Sequence, residues 1–430
     1  MRKLLLALFA MALVVAFTAP SYAADFKYTG FFRIRGIAGN NGDRNDDADD
    51  SAQGFDALTR PRFTATTDKG AIWALWEIDW YEARSENDRT PNDANANILF
   101  GRSGGRVGVG TNRWVVDFAV PGSALRARWG RTDYTSPDKQ IFDSAGGTRW
   151  PGLAVYGKLS KNMSLSMFMT RTALSGRGRN IGPEDENRDN YYASVGIKVS
   201  PAVTLTPWVA LSRDGMGRSL TYAALNAKTK VGIVGLNLSG VSVGGDAAAN
   251  TDASGWALLA SGKASLGKLT LIGTAIMLSG DDNANDGEEG EFANLMPGGG
   301  QFISGVMVTD RSTTGGITSF RARLPGAGGT RNTRFQNLNG AVVIGGDAVY
   351  KISKTFKVAA GVHIYQSAED DMEGDTDYGT EFNTGFEWKI YPKLRLRTQF
   401  GYLATGDYGI SPGDPDDDAW TAMFSLDHFF

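Results

Sequence analysis

The sequence predicts an all-β fold, a transmembrane antiparallel up-and-down β-barrel of about eighteen strands, with about sixteen as the alternative count. Segments in which apolar and polar residues alternate recur along the chain, which is the period of a strand with two different faces. The gaps between these segments are alternately short and long. Many segments have about the ten residues that a tilted strand needs to cross a bilayer.

The amino terminus predicts export. Residues 1–23 have the pattern of a signal peptide, because Arg2 and Lys3 precede an apolar stretch from Leu4 to Phe17 and a small-residue cleavage site follows. No later segment holds the roughly eighteen consecutive apolar residues of a transmembrane helix. We therefore expect the mature chain, 24–430, to lie beyond the inner membrane and to form the barrel.

Composition excludes several classes of function. The chain has 44 basic and 47 acidic residues, a balance that argues against nucleic acid as a partner. It has no cysteine, so disulfides and thiolate-bound metals are excluded. In the acidic stretch 281–286, Asp286 stands where a calcium loop requires glycine. The stretches 374–377 and 414–419 are generic clusters of acids. We expect no metal and no cofactor.

The two kinds of gap predict the orientation of the strands. Short, turn-like gaps alternate strictly with long gaps rich in acids, Gly, Asn and Pro, so that the short turns share one end of the barrel and the long loops share the other. In outer-membrane barrels the short turns are periplasmic and the long loops extracellular. The short gaps begin at Thr67, Pro121, Ser160, Ser200, Thr229, Leu266, Ser353 and Tyr391.

The two faces of each predicted strand differ in chemistry. In the segment 71–82, Trp76 and Trp80 share one face and Glu77 and Asp79 share the other. Charged side chains need water, and a continuous row of aromatic residues needs lipid or a core. A soluble sandwich also alternates, but the charges recur where its interior would be dry. The pattern favours a membrane barrel with a water-filled interior.

The last strand should close the barrel. Residues 421–430 alternate, and an open edge is not permitted in lipid, so this strand is predicted to pair with the first one, near 26–38. The terminal Phe430 resembles the assembly signal of bacterial outer-membrane proteins, which the outer-membrane insertion machinery recognises. His428 stands where such proteins more often have an aromatic or aliphatic residue.

Charged residues on the predicted inner face occur mainly as alternating pairs of arginines, some with acids across a turn. Arg60 and Arg62 should lie beside Glu77 and Asp79. Two interpretations stay open: paired wall charges that stiffen the barrel, or an arginine ladder that attracts anions. The predicted pore-lining residues are Arg33, Arg35, Arg60, Arg62, Glu77, Asp79, Asp117, Arg126, Arg128, Glu387, Arg395 and Arg397, with Arg126 expected near Asp117 and Glu387 near Arg397.

The gap from residue 280 to 336 is far longer than the others, and a loop of this size is usually functional. We expect part of it to fold into or over the mouth, with Arg321 and Arg323 as constriction residues. The alternative is a flap that projects outward. An enzyme is not expected, because the only histidines are His363 and His428, and hydrolase motifs are absent.

The signal peptide, the hairpin spacing and the ending "SLDHFF" resemble the bacterial outer-membrane porin superfamily over the whole mature chain. This resemblance implies a Gram-negative outer-membrane protein in contact with lipid and lipopolysaccharide, often a homotrimer, through which small hydrophilic solutes diffuse passively. The strand count, the paired arginines and "LSGDD" after a strand also resemble alginate-export-type barrels, which implies a channel for anionic polysaccharides. A non-conducting adhesin, or a sheath around a cytochrome, is the third alternative.

Overall fold

A computed structural model describes residues 25–40, 52–67, 70–85, 108–137, 150–173, 187–215, 217–248, 251–282, 287–292, 340–370, 374–407 and 418–430. The predicted signal peptide and most of the predicted loop 280–336 lie outside these residues. The strands are β1 (Asp25–Asn40), β2 (Ala52–Thr67), β3 (Ile72–Ser85), β4 (Gly108–Ala119), β5 (Leu125–Thr132), β6 (Trp150–Lys158), β7 (Met163–Ala173), β8 (Asn187–Lys198), β9 (Val203–Asp214), β10 (Ser219–Val231), β11 (Val234–Ala248), β12 (Thr251–Leu266), β13 (Leu269–Leu278), β14 (Glu288–Glu289), β15 (Ala341–Lys351), β16 (Phe356–Gln366), β17 (Asp377–Tyr391), β18 (Leu394–Thr405) and β19 (Ala419–Phe429).

These strands form one closed antiparallel barrel of 18 strands, which confirms the predicted fold class. Each long strand pairs with its neighbours in sequence, and β19 pairs with β1 to complete the ring. The two-residue strand β14 stands outside the ring, pairing in parallel with β12, so that β13 pairs directly with β15. Within the described part of the chain, no helix is long and apolar enough to cross a membrane.

The seam between β1 and β19 is tightly fitted. Gly30 and Phe430 exchange two backbone hydrogen bonds, each with an N···O distance of 3.0 Å. A Cβ atom at Gly30 would come within 2.7 Å of the Phe430 ring, so the ring needs a glycine beneath it. The predicted pairing of the last strand with the first is confirmed.

The short turns lie at one end of the barrel, with the first and last described residues. Between β10 and β11 the sequence predicted a turn at 229–232, but β10 continues through Val231 and the turn is Gly232 and Ile233. Gly232 supplies the positive φ, 59°, that a two-residue hairpin loop requires. The hairpin therefore turns two residues later than the polar composition suggested.

Alternation sorts the side chains between the two surfaces of the barrel. On β3, Glu77 and Asp79 are buried while Trp76 and Trp80 are 36% and 58% exposed, as the sequence predicted. Large apolar side chains are exposed in the same way around the outer surface, Phe26 and Trp129 among them. Such an outward face is stable when lipid covers it.

Candidate functional site

The inner face of β4, β5 and β6 carries a carboxylate beneath two arginines. Arg126 Nε lies 2.5 Å from Asp117 Oδ1, and Arg128 Nε lies 2.8 Å from Asp117 Oδ2. The hydroxyl of Tyr156 donates a third hydrogen bond to Asp117. The carboxylate is 1% exposed, whereas about a third of each arginine side chain is accessible. The acid is therefore covered, and the guanidinium groups form the surface.

A second group of the same kind centres on Glu77, which is fully buried. Arg62 donates from Nε and Nη2 to Glu77 Oε2 at 2.8 and 2.5 Å, and Asn112 Nδ2 donates to Oε1 at 2.5 Å. Arg113 Nε lies 3.5 Å from the same Oε1. Beside this group, Arg60 binds Asp79 in a bidentate manner at 2.5 and 2.8 Å. The predicted pairing across this turn is present.

The third group lies on β16 to β19. Glu387 is 3.4 Å from both Lys357 Nζ and Arg395 Nη1. The sequence placed Glu387 near Arg397, and these residues are direct cross-strand neighbours. The ion pair of Arg397, however, is with Asp427, because its guanidinium reaches across to β19 rather than to β17.

The other predicted residues are placed as follows. Arg35 is buried on β1, and Arg33 lies opposite Asp427 across the seam. Arg321 and Arg323 fall outside the described residues. We name the inner faces of β2–β5 and β16–β19, with Arg33 and Arg35, the charged wall.

Among the residues that the structure describes, cations outnumber acids in the ion pairs of the charged wall. Each buried carboxylate with several partners holds two or more cations, so the surface above it keeps a net positive charge. Rings stack under some of these cations: the Arg395 guanidinium lies 4.3 Å from the Phe429 ring centre. The cations are Arg60, Arg62, Arg113, Arg126, Arg128, Lys357, Arg395 and Arg397, and the acids are Glu77, Asp79, Asp117, Asp133, Glu387 and Asp427.

A different surface faces inward on β7–β15, toward the ends that carry the long connections. We name it the apolar wall. Phe168 stacks on Tyr192 with ring centres 4.4 Å apart, and Tyr192 lies 5.6 Å from Trp208. The largest fully buried side chains of the described residues include Trp208, Tyr222 and Ile276. Side chains this buried do not contact water.

Sequence reasoning missed the apolar wall and several partners in the charged wall. The signal for the apolar wall is present in β13, "LTLIGTAIML", which is apolar on both faces. Arg113, Tyr156, Lys357 and Asp427 were missed because their roles depend on which strands become neighbours. These partners follow only from the closed ring.

His363 has neighbours that the sequence did not indicate. Its Nδ1 lies 3.1 Å from Asn383 Nδ2, and its Nε2 lies 3.6 Å from Asp347 Oδ2. The three residues come from β15, β16 and β17. Among the described residues, no group of three or more His, Cys, Asp or Glu side chains is arranged to hold a metal ion.

A closed antiparallel barrel with an apolar outer surface, short turns at one end and long connections at the other has the fold of bacterial outer-membrane porins. Closed antiparallel barrels of this kind span bacterial outer membranes. Neither protein-family models nor curated protein sequences give a significant match to the chain.

Solved structures give the particular likenesses. OccAB1 of Acinetobacter baumannii is similar with a TM-score of 0.62 and 11% identity, over 96% of this chain and 98% of that one. The outer-membrane protein OpdK of Pseudomonas aeruginosa is similar with a TM-score of 0.58 and 12% identity, over 94% and 99%. A structure of OpdK with vanillate gives 0.57 and 13%, over 94% and 98%. At these identities the likeness concerns the fold.

Proposed function

We propose that this protein is a passive channel for small hydrophilic solutes, with a preference for anions set by the charged wall. The observation that supports it most is the layering of that wall. Buried carboxylates hold arginines in place, and the guanidinium groups above them outnumber the acids. Fixed charges along a pore set its ionic preference. The two interpretations of the arginines then become one, because pairing positions the cations without cancelling them.

The proposal includes no chemical step. A solute moves down its concentration gradient, and its size and charge decide how readily it passes. The complex of OpdK with vanillate, a carboxylate, agrees with an anionic solute.

The proposal has three further parts. Arg321 and Arg323 narrow the passage, the assembly machinery recognises Phe430, and the protein is a homotrimer.

Reversal potentials across a planar bilayer with a salt gradient test the anion preference. Arg62 and Arg126 suit the test, because replacing them leaves each buried acid with another cation. Glu77 keeps Arg113, and Asp117 keeps Arg128. We expect Arg62→Gln combined with Arg126→Gln to lower the ratio of anion to cation permeability about twofold or more. A cation-preferring wild type, or a ratio unchanged in the double variant, would contradict the proposal.

The matched control is Arg171→Gln. Arg171 lies on β7 with a side chain 65% exposed, and its ion pair is with Asp189. It carries the same charge outside the charged wall. We expect this variant to keep the wild-type permeability ratio.

A second candidate is a non-conducting barrel that acts as an adhesin or scaffold. The apolar wall favours it, because buried apolar side chains occupy inward positions on many adjacent strands. The same bilayer recording separates the two candidates. Stepwise conductance supports the channel, and its absence in correctly folded protein supports the scaffold.

An alginate-export-like channel would be blocked by anionic oligosaccharides added on one side.

A further inference from the structure

Residues 287–292, which include β14, are fastened to the rim of the barrel. β12 extends beyond the end of β13, whose pairing with it stops at Ala257. β14 continues this edge through Asp252 and Ala253, and the Asp252 N–H donates to the Gly287 carbonyl at 3.0 Å. This edge of β12 is therefore completed by a segment that belongs to the connection between β13 and β15.

Ser279 joins the segment to both strands. Its Oγ accepts a hydrogen bond from the Trp256 N–H at 2.9 Å and donates to the Gly290 carbonyl at 2.7 Å. Its carbonyl accepts from the Phe292 N–H at 3.0 Å. The segment is thus held by two hydrogen bonds at one serine, and a third hydrogen bond joins that serine to β12.

The end of the segment packs closely on the inner face. A Cβ atom at Gly255 would come within 2.9 Å of Phe292 Cα, so this approach depends on a glycine in β12. Phe292 is 5% exposed and belongs to the apolar wall, where its ring meets Tyr222 edge to face at 6.4 Å. Docking of residues 287–292 therefore buries an apolar anchor.

Acids accompany that anchor. Burial, and then the nearby carboxylates of Glu289 and Asp281, raise the pKa of Glu291 to about 7. The Ser254 hydroxyl on β12 donates a hydrogen bond to the Glu288 carboxylate, and both residues are exposed. The cations of this region, Arg188 and Arg218, face Tyr222 together with Glu289. The charged groups that act on the pKa of Glu291 are Glu289 and Asp281, both of its own sign.

We propose that residues 287–292 form a latch at the long-loop rim, docked on β12 in acid and released at neutral to basic pH. The sign follows from Glu291. Docking removes its side chain from water beside two other acids, so the docked state favours the protonated carboxyl. Docking is strongest below the ordinary pKa of 4.5 and weakens as the pH rises through about 7. Through Glu291, the docking of residues 287–292, which precede β15 along the chain, depends on the pH.

Hydrogen exchange of the whole protein in lipid vesicles tests the latch. The reporters are two amides whose hydrogen bonds hold the segment in place. The Asp252 N–H on β12 donates to Gly287 of the segment, and the Phe292 N–H of the segment donates to Ser279. After correction for intrinsic exchange, we expect their protection factors to fall by up to roughly a hundredfold between pH 5 and 8. Amides in the part of β12 that pairs with β13, from Ala257 to Leu266, should show no such fall.

Glu291→Gln is the decisive variant, because glutamine resembles the protonated carboxyl at every pH. We expect high, pH-independent protection. Glu288→Gln removes the same charge from an exposed position and should keep the wild-type dependence. A flat wild-type profile, or an equal fall in Glu291→Gln, overturns the latch. Neither result bears on conduction, which the bilayer recordings measure separately.

Discussion

The charged wall and the apolar wall are built from the same alternating strands and solve the problem of an inward face in opposite ways. In the charged wall, Asp117 and Glu77 are buried but each contacts several donors, and the arginines above them stay partly accessible. In the apolar wall, Ile276 and Trp208 are 2% exposed and stabilise the barrel by packing. Strand periodicity decides which residues point inward. It does not decide whether the inward face meets water.

The largest effect is expected at the centre of the charged wall. Asp117→Ala leaves Arg126 and Arg128 next to each other without their shared carboxylate and removes an acceptor from Tyr156. Removing one member of a buried ion pair typically costs about 3–5 kcal/mol. We expect the free energy of unfolding to fall by an amount in the upper half of that range. It is measured with urea in lipid vesicles by tryptophan fluorescence.

Asp117→Asn is the control for this variant, since it keeps an acceptor oxygen and nearly the same volume. Its loss should be smaller than that of Asp117→Ala. If Asp117→Ala costs under about 1 kcal/mol, which is typical of an exposed pair, the charged wall is not held by its buried acids.

The next largest effect is expected in the apolar wall. Ile276→Ala leaves a cavity among buried side chains, which typically costs about 2–5 kcal/mol. We expect about 3 kcal/mol in the same unfolding measurement. Ile272 is the matched comparison, because it is the same residue type on the same face of β13 but is only partly buried. Equal losses at the two positions would show that the apolar wall is not a packed core.

The smallest effect is expected outside both walls. Arg171 and Asp189 form a bidentate pair at 2.6 Å, yet the arginine side chain is 65% exposed. Exposed ion pairs typically contribute about 0–1 kcal/mol. We expect Arg171→Gln to change the free energy of unfolding by less than about 1 kcal/mol. A larger loss would mean that geometry rather than burial determines the strength of ion pairs in this barrel.

Much of the fold followed from local patterns. The number of strands, the short-long alternation of connections and the closure of β19 on β1 were predicted, because each depends on period two and on turn chemistry. That Arg60 and Arg62 share a face with Glu77 and Asp79, and that Arg126 lies near Asp117, was predicted for the same reason, since a tight turn fixes the register of its two strands.

Contacts between strands joined by long connections were not predictable. The pairing of Arg397 with Asp427 depends on the register of β18 and β19, whose connection is long. The Tyr156 contact with Asp117 requires that β6 lie beside β5 with a particular offset. Strands that are apolar on both faces, such as β13, indicate an apolar inner surface, but which of these inner faces pack together depends on the closed ring.

Joining β1 to β19 has a kinetic consequence. The hydrogen bond from Thr421 to the Ala38 carbonyl links residues 383 positions apart, and the entropy of closing so long a loop amounts to about 5 kcal/mol. Every other pair of neighbouring strands in the ring is closer in sequence, so the meeting of the two ends should be the slowest event in assembly. Until it occurs, an incomplete cylinder has two unsatisfied edges that a bilayer does not tolerate.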